Sequence, residues 1–145
     1  MGVDRGGLYS YEWIENLMGL RARNADRIVP EWQDLHVGDF IRYTPPDYFI
    51  PNGPGNYVVE MAEPEHLLMC SGQDGIPLVD CAATWQFVLR EQGDGTTRLM
   101  LRSRSVDGGT VAKAFGRLMQ APLFLMQRRM LLGIQERTEA HAAQP

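Results

Sequence analysis

Along the 145-residue chain, apolar residues recur first at helical spacing, then at every second position, and finally at helical spacing again. Between Ser10 and Leu20, Trp13, Leu17 and Leu20 fall on one side of a short helix. Ser10 is placed to cap it, Glu12 and Glu15 favour its positive end, and Gly19 stands where it should stop. Asn24 to Leu35 is irregular, with room for one helical turn. From Phe40 the period drops to two. Phe40 to Tyr43, Asn56 to Ala62, His66 to Ser71, Thr84 to Glu91 and Thr96 to Ser105 each read as strands. The loop from Pro45 to Asn56 holds four prolines and two glycines, Pro64-Glu65 turns the chain, and Gly72 to Asp80 makes another loop. Gly93-Asp94-Gly95 marks a hairpin. Short connections between consecutive strands predict an antiparallel meander.

A long helix follows, predicted from near Thr110 to about Ala140. Val111, Phe115, Leu118, Met119, Pro122, Leu125 and Met126 make one apolar face, with Lys113, Arg117, Gln120 and Gln127 opposite. Beyond Met126 the stripe rotates by roughly a quarter turn, to Leu123, Met130 and Ile134. Pro122 cannot donate a helical hydrogen bond and crowds the preceding turn, so a kink near Pro122 is predicted. The second segment should anchor the helix near Trp13 and Trp32. These elements predict a single α+β domain over residues 1–145. It has a short N-terminal helix and a curved antiparallel sheet of about five strands gripping the kinked C-terminal helix.

A twisted sheet does not lie flat on one straight helix, so the space between them must be filled by side chains or by a ligand. Trp85, Phe87, Leu99, Leu101, Phe115, Leu118, Met119 and Met126 would line it, and both a packed core and a cavity fit this pattern. Tyr9, Tyr11, Trp13 and Trp32 are dense for one stretch; they suit a cavity mouth or plain packing anchors equally.

Composition narrows the function classes. Hydrophobic residues at 44% and charged residues at 22% are ordinary globular values, and a net charge of −4 offers no general attraction to nucleic acid or anionic lipid. No apolar run approaches the roughly 18 residues of a membrane span. Residues 1–7 are polar and glycine-rich, unlike a signal peptide, so a cytoplasmic location is expected. Cys70 and Cys81 lack metal-site spacing and are expected to be reduced, buried thiols. Neither a nucleophile elbow, a zinc-protease motif nor a phosphate-binding glycine loop is present, and no metal or cofactor is implied. Arg129 and His36 are the candidate polar pocket contacts. Arg129 would reach a ligand carboxylate along a straight helix, or pair with a nearby acid along a kinked one. Arg98, Arg102 and Arg104 form a basic stripe on the outer sheet face.

Gly6-Gly7-Leu8-Tyr9-Ser10-Tyr11-Glu12-Trp13-Ile14-Glu15-Asn16-Leu17, Asn24-Ala25-Asp26-Arg27-Ile28, Pro30-Glu31-Trp32-Gln33-Asp34-Leu35 and Val37-Gly38-Asp39 form an ordered series of segments. Thr97-Arg98-Leu99, Arg102-Ser103-Arg104 and Arg128-Arg129-Met130-Leu131-Leu132-Gly133-Ile134 continue it. Taken in order, these segments resemble bacterial members of the SRPBCC superfamily, the START-like group with the helix-grip fold. The subgroup is described as polyketide cyclase/dehydrase-like. The resemblance implies a cavity between sheet and C-terminal helix that holds a lipid-, sterol- or polyketide-like molecule. It also implies an N-terminal strand, paired with Thr96–Ser105, and a first helix that this sequence lacks, so either the start is set too late or a homodimer covers the open strand edge. The expected function is a binding or carrier module for a hydrophobic small molecule. A cyclase/dehydratase-type enzyme on the same fold, or an interaction protein using an open sheet edge, are the alternatives.

Overall fold

The computed structural model describes residues 1–49, 56–73, 81–106 and 110–143, the side chains of 110–113, 115 and 116 excepted. The elements are α1 (Glu12–Leu17), a 3-10 turn (Pro30–Trp32), β1 (Phe40–Ile41), β2 (Tyr57–Glu63), β3 (His66–Ser71), β4 (Ala83–Glu91), β5 (Thr97–Ser105) and α2 (Thr110–Ala142). This is the α+β order that the periodicities predict. The chain forms two compact units: Met1–Trp32 with Asp107–Pro145, and Gln33–Val106.

In the first unit, Asn24 ties the N-terminal segment together. Its side-chain oxygen accepts from Tyr9 N–H at 2.8 Å, its amide donates to the Ser10 carbonyl at 3.1 Å, and its own N–H donates to Glu12 Oε2 at 2.9 Å. That last bond occupies the Glu12 carboxylate expected only to favour the helix end. It also helps to fix which side of α1 turns inward. Trp13 and Leu17 point to solvent, 69% and 80% exposed, while Glu15 is fully buried. The predicted apolar face of this helix is therefore reversed. α1 also starts later than predicted, at Glu12 after Tyr11, with no side-chain cap from Ser10.

α2 continues through Pro122 as one helix. Among its described side chains the buried positions are Met130 and Gly133, with Met126 and Arg137 half-buried, so the line at i, i+4, i+7 and i+11 lies inward. Leu118, Pro122 and Leu125 of the predicted apolar face are exposed instead, and so is Leu123. Met119 is half-buried, and the side chains of Val111 and Phe115 lie outside the described residues. The quarter-turn slip past Met126 marks the half of the helix that anchors, and Tyr9 and Ala25 are what it anchors on. Arg137 donates through Nε to the Ala25 carbonyl at 2.7 Å, and its guanidinium lies 4.3 Å from the centre of the Tyr9 ring.

The second unit is a five-stranded antiparallel meander in the order β1-β2-β3-β4-β5. Alternation puts Tyr57, Val59, Leu67, Met69, Trp85, Phe87, Leu99 and Leu101 on one face, as the register pairs Met69 with Trp85, Leu67 with Phe87 and Phe87 with Leu101. Val59 and Met69 are almost wholly buried, and each contributes roughly 1.5–3 kcal/mol over an exposed position. A bulge between Val59 and Met61 shifts the β2–β3 register and puts Met61 on the other face. The β4–β5 hairpin closes where predicted. Gly95 takes φ +80°, and Asp94 Oδ1 accepts from the Thr96 N–H at 3.0 Å and hydroxyl at 2.7 Å.

The cysteines depart from expectation. Cys70, near the end of β3, and Cys81, just before β4, form a disulfide with Cα atoms 5.6 Å apart. Their spacing carries no motif, but the antiparallel β3–β4 pairing brings the chain back beside Cys70. Disulfides persist mainly in oxidising compartments, so this bond does not favour the cytoplasmic location expected from the sequence. Among the described residues, no helix is long and apolar enough to cross a membrane.

Candidate functional site

The most developed side-chain cluster is on the apolar face of the sheet. Tyr43 and Tyr57 meet edge to face with ring centres 5.5 Å apart, and Tyr43 meets Trp85 the same way at 5.3 Å. Tyr57 and Trp85 lie 5.4 Å apart, tilted by 33°, and Trp85 leads on to Phe87 at 6.2 Å. Each contact falls in the range where aromatic pairs attract. Leu99 and Leu101 extend the surface along β5, both half-buried.

Asn56 holds Tyr43 in this cluster. The chain leaves β1 at Ile41, and Asn56 Oδ1 accepts from Tyr43 N–H at 2.9 Å, Thr44 N–H at 3.1 Å and Thr44 Oγ1 at 3.1 Å. One side-chain oxygen thereby pins residues 43 and 44 to the start of β2. The Tyr43 hydroxyl, however, is buried and finds no hydrogen-bond partner among the described residues. Burial pushes its pKa far above the ordinary phenol value, with Tyr57 adding to the shift. Burial pushes Tyr57 up to about 12. Both phenols are therefore neutral donors and acceptors at physiological pH.

Of the residues proposed from sequence, Trp85, Phe87, Leu99 and Leu101 do share this face. Tyr9, Tyr11, Trp32, Leu118, Met119, Met126 and Arg129 belong to the first unit. There Trp32 packs near Gly6, and Tyr9 lies under Arg137. Arg129 is engaged by an acid on its own helix: Nη1 and Nη2 donate to the two Glu136 carboxylate oxygens at 2.7 and 3.2 Å. His36 is exposed at a loop, 3.4 Å from Asp34. His66 lies on the opposite sheet face, bonded to Gln86 at 2.5 Å. Among the described residues, no three His, Cys, Asp or Glu side chains converge as a metal would require.

Tyr43 and Tyr57 are absent from the residues singled out by sequence. Tyr57 alternates with Val59 and so could have been placed on the inner face. Tyr43 lies two residues after Ile41, but nothing local to it announces a buried hydroxyl. Compared with family models, curated proteins and solved structures, the chain matches none.

Proposed function

We infer that the apolar sheet face binds a hydrophobic small molecule, with the Tyr43 hydroxyl as its one polar contact. A buried hydroxyl without a partner costs roughly 1–3 kcal/mol. A ligand carrying a carbonyl, ether or hydroxyl oxygen would remove that cost, while its apolar body rests on Tyr57, Trp85, Phe87, Leu99 and Leu101. An apolar lining with few orienting polar groups is what small-molecule sites commonly present, and this supports the reading. A lipid-, sterol- or polyketide-like molecule fits this chemistry. The order of a meander followed by a long C-terminal helix accords with an SRPBCC kinship, which is part of the same proposal. Carriage or sequestration is favoured over catalysis, because acid–base chemistry needs a paired donor and acceptor, and the rings of this cluster offer two neutral phenols.

The test is thermal melting of the intact chain against fatty acids, sterols and polycyclic aromatic ketones. The proposal expects a melting shift that rises with ligand concentration and is smaller in Tyr43→Phe. A panel without any shift, or equal shifts in the variant, would count against it.

A further inference from the structure

The opposite side of the sheet and its outer edge have a different chemistry. β5 ends the strand order, so among the described residues no strand pairs with its outer edge. The strand is nine residues long, about 30 Å of backbone at ordinary rise. Thr97, Arg98, Arg102, Ser103, Arg104 and Ser105 are exposed. Arg98, Arg102 and Arg104 share the face away from the aromatic cluster. The register sets Arg90, Gln86 and Thr84 of β4 beside them, so these rows carry four cations, two neutral polar groups and no carboxylate. An open groove of about 430 Å³ on the same face is lined by Leu68, Cys81, Thr84, Gln86, Arg102 and Arg104, among others.

An edge of this length with no described strand beside it is a template for another strand, and the arginines decide which strand can use it. A second copy of β5, laid antiparallel, shares faces only in registers that set arginines opposite or next to one another. Pairing centred on Leu101 puts Arg98 against Arg104, and pairing centred on Met100 puts Arg98 against Arg102. Like charges directly opposite destabilise a strand pair. The charges therefore disfavour edge pairing between copies and favour a strand of opposite sign.

We propose that the outer edge of β5 accepts an extended acidic segment of a partner protein as a sixth strand. Its carboxylates, at alternate positions, face Arg98, Arg102 and Arg104, and its intervening apolar residues extend the row of Leu99 and Leu101. Backbone hydrogen bonds supply the ladder and the arginines supply the selection. A side chain of the segment can enter the groove beside Cys81. Single-stranded nucleic acid is the less favoured occupant, because the aromatic rings that would stack on bases occupy the other face. This inference is independent of the apolar site and does not need it occupied.

The probe is a nine-residue peptide of alternating Glu and Val, titrated into the full chain by fluorescence anisotropy. A copy N-methylated at alternate residues, which cannot complete a ladder, is compared with it. Expected are saturable binding that weakens with salt, at least about tenfold weakening in Arg102→Glu/Arg104→Glu, and a comparable loss for the N-methylated peptide. Amide exchange in β5 should slow on binding. Both arginines are exposed, so unchanged melting of the variant verifies its fold. Any of four results would overturn the proposal: absence of binding; equal binding of the N-methylated peptide; dimerisation that protects β5 amides without peptide; or an oligonucleotide that binds as tightly and protects the same amides.

Discussion

Gly133 of α2 lies so close to Tyr9 that a Cβ at position 133 would stand 2.6 Å from the Tyr9 carbonyl oxygen. The neighbour is backbone and cannot swing aside. In an exposed helix, Gly→Ala stabilises by about 1 kcal/mol. Here overpacking, about 1–3 kcal/mol, opposes that gain. Gly133→Ala should therefore destabilise the chain, read as a lower midpoint in urea denaturation. A midpoint that rises would mean that the helix does not approach Tyr9 this closely.

Arg137 binds the same segment by a different chemistry. Its Nε–H donates to the Ala25 carbonyl, its Nη1–H to the Gly133 carbonyl at 2.7 Å, and its plane lies over Tyr9. Arg137→Ala should cost about 1–3 kcal/mol. Arg137→Lys should recover only part of that loss, because an ammonium lacks the plane and carries its donors on one nitrogen, without the fork that spans the Ala25 and Gly133 carbonyls. Full recovery by lysine would reduce the role of Arg137 to its charge.

Glu15 makes stability depend on pH. Its carboxyl is pushed up to about 7 from an ordinary 4.5, first by burial, with the nearby Ser10 hydroxyl opposing and Glu12 adding to the shift. Both carboxyl oxygens lack a satisfactory hydrogen-bond partner among the described residues. Between pH 4.5 and 7 the folded chain keeps a proton that the unfolded chain releases. Stability from this group therefore falls as pH rises through that window and levels off above it. The change is on the order of 1–3 kcal/mol. Glu15→Gln should flatten it and leave the variant the more stable form at pH 8. Denaturant midpoints that stay parallel for the two proteins between pH 5 and 8 would exclude this role for Glu15.

The Cys70–Cys81 bridge closes a short loop, with a sequence separation of 11. A loop of that size stabilises by roughly 2–3 kcal/mol. Reduction, or Cys70→Ser with Cys81→Ser, should lower the melting temperature, and thiol labelling of the unreduced chain should find no free cysteine. Stoichiometric labelling of both thiols before reduction would remove the bridge from the account.

What could be read from sequence was what local rules decide. The β4–β5 hairpin is legible because Gly93-Asp94-Gly95 supplies both the turn conformation and the Asp94 acceptor, and period two does the rest. The inward side of α1 was not. Six residues carry Trp13 and Leu17 on one side and Glu15 on another, and apolar spacing alone chooses the wrong one. Asn24, bonded to Glu12 from twelve residues away, enters only in three dimensions. The disulfide is similar, since a spacing of 11 means little until the β3–β4 pairing returns the chain. For the candidate site, Trp85 and Phe87 follow from alternation. The buried Tyr43 hydroxyl does not, because it depends on rings contributed by β2 and β4.

The apolar site is tested most directly by native mass spectrometry of the intact chain, with solvent extraction and identification of whatever it carries. Expected is an added mass from an apolar molecule bearing an oxygen acceptor or donor, lost in Trp85→Ala and reduced in Tyr43→Phe. Tyr43→Phe should otherwise leave the ligand-free protein as stable as before, or slightly more so, since it removes an unpartnered hydroxyl. A bare chain that also fails to retain any added apolar probe would contradict the account.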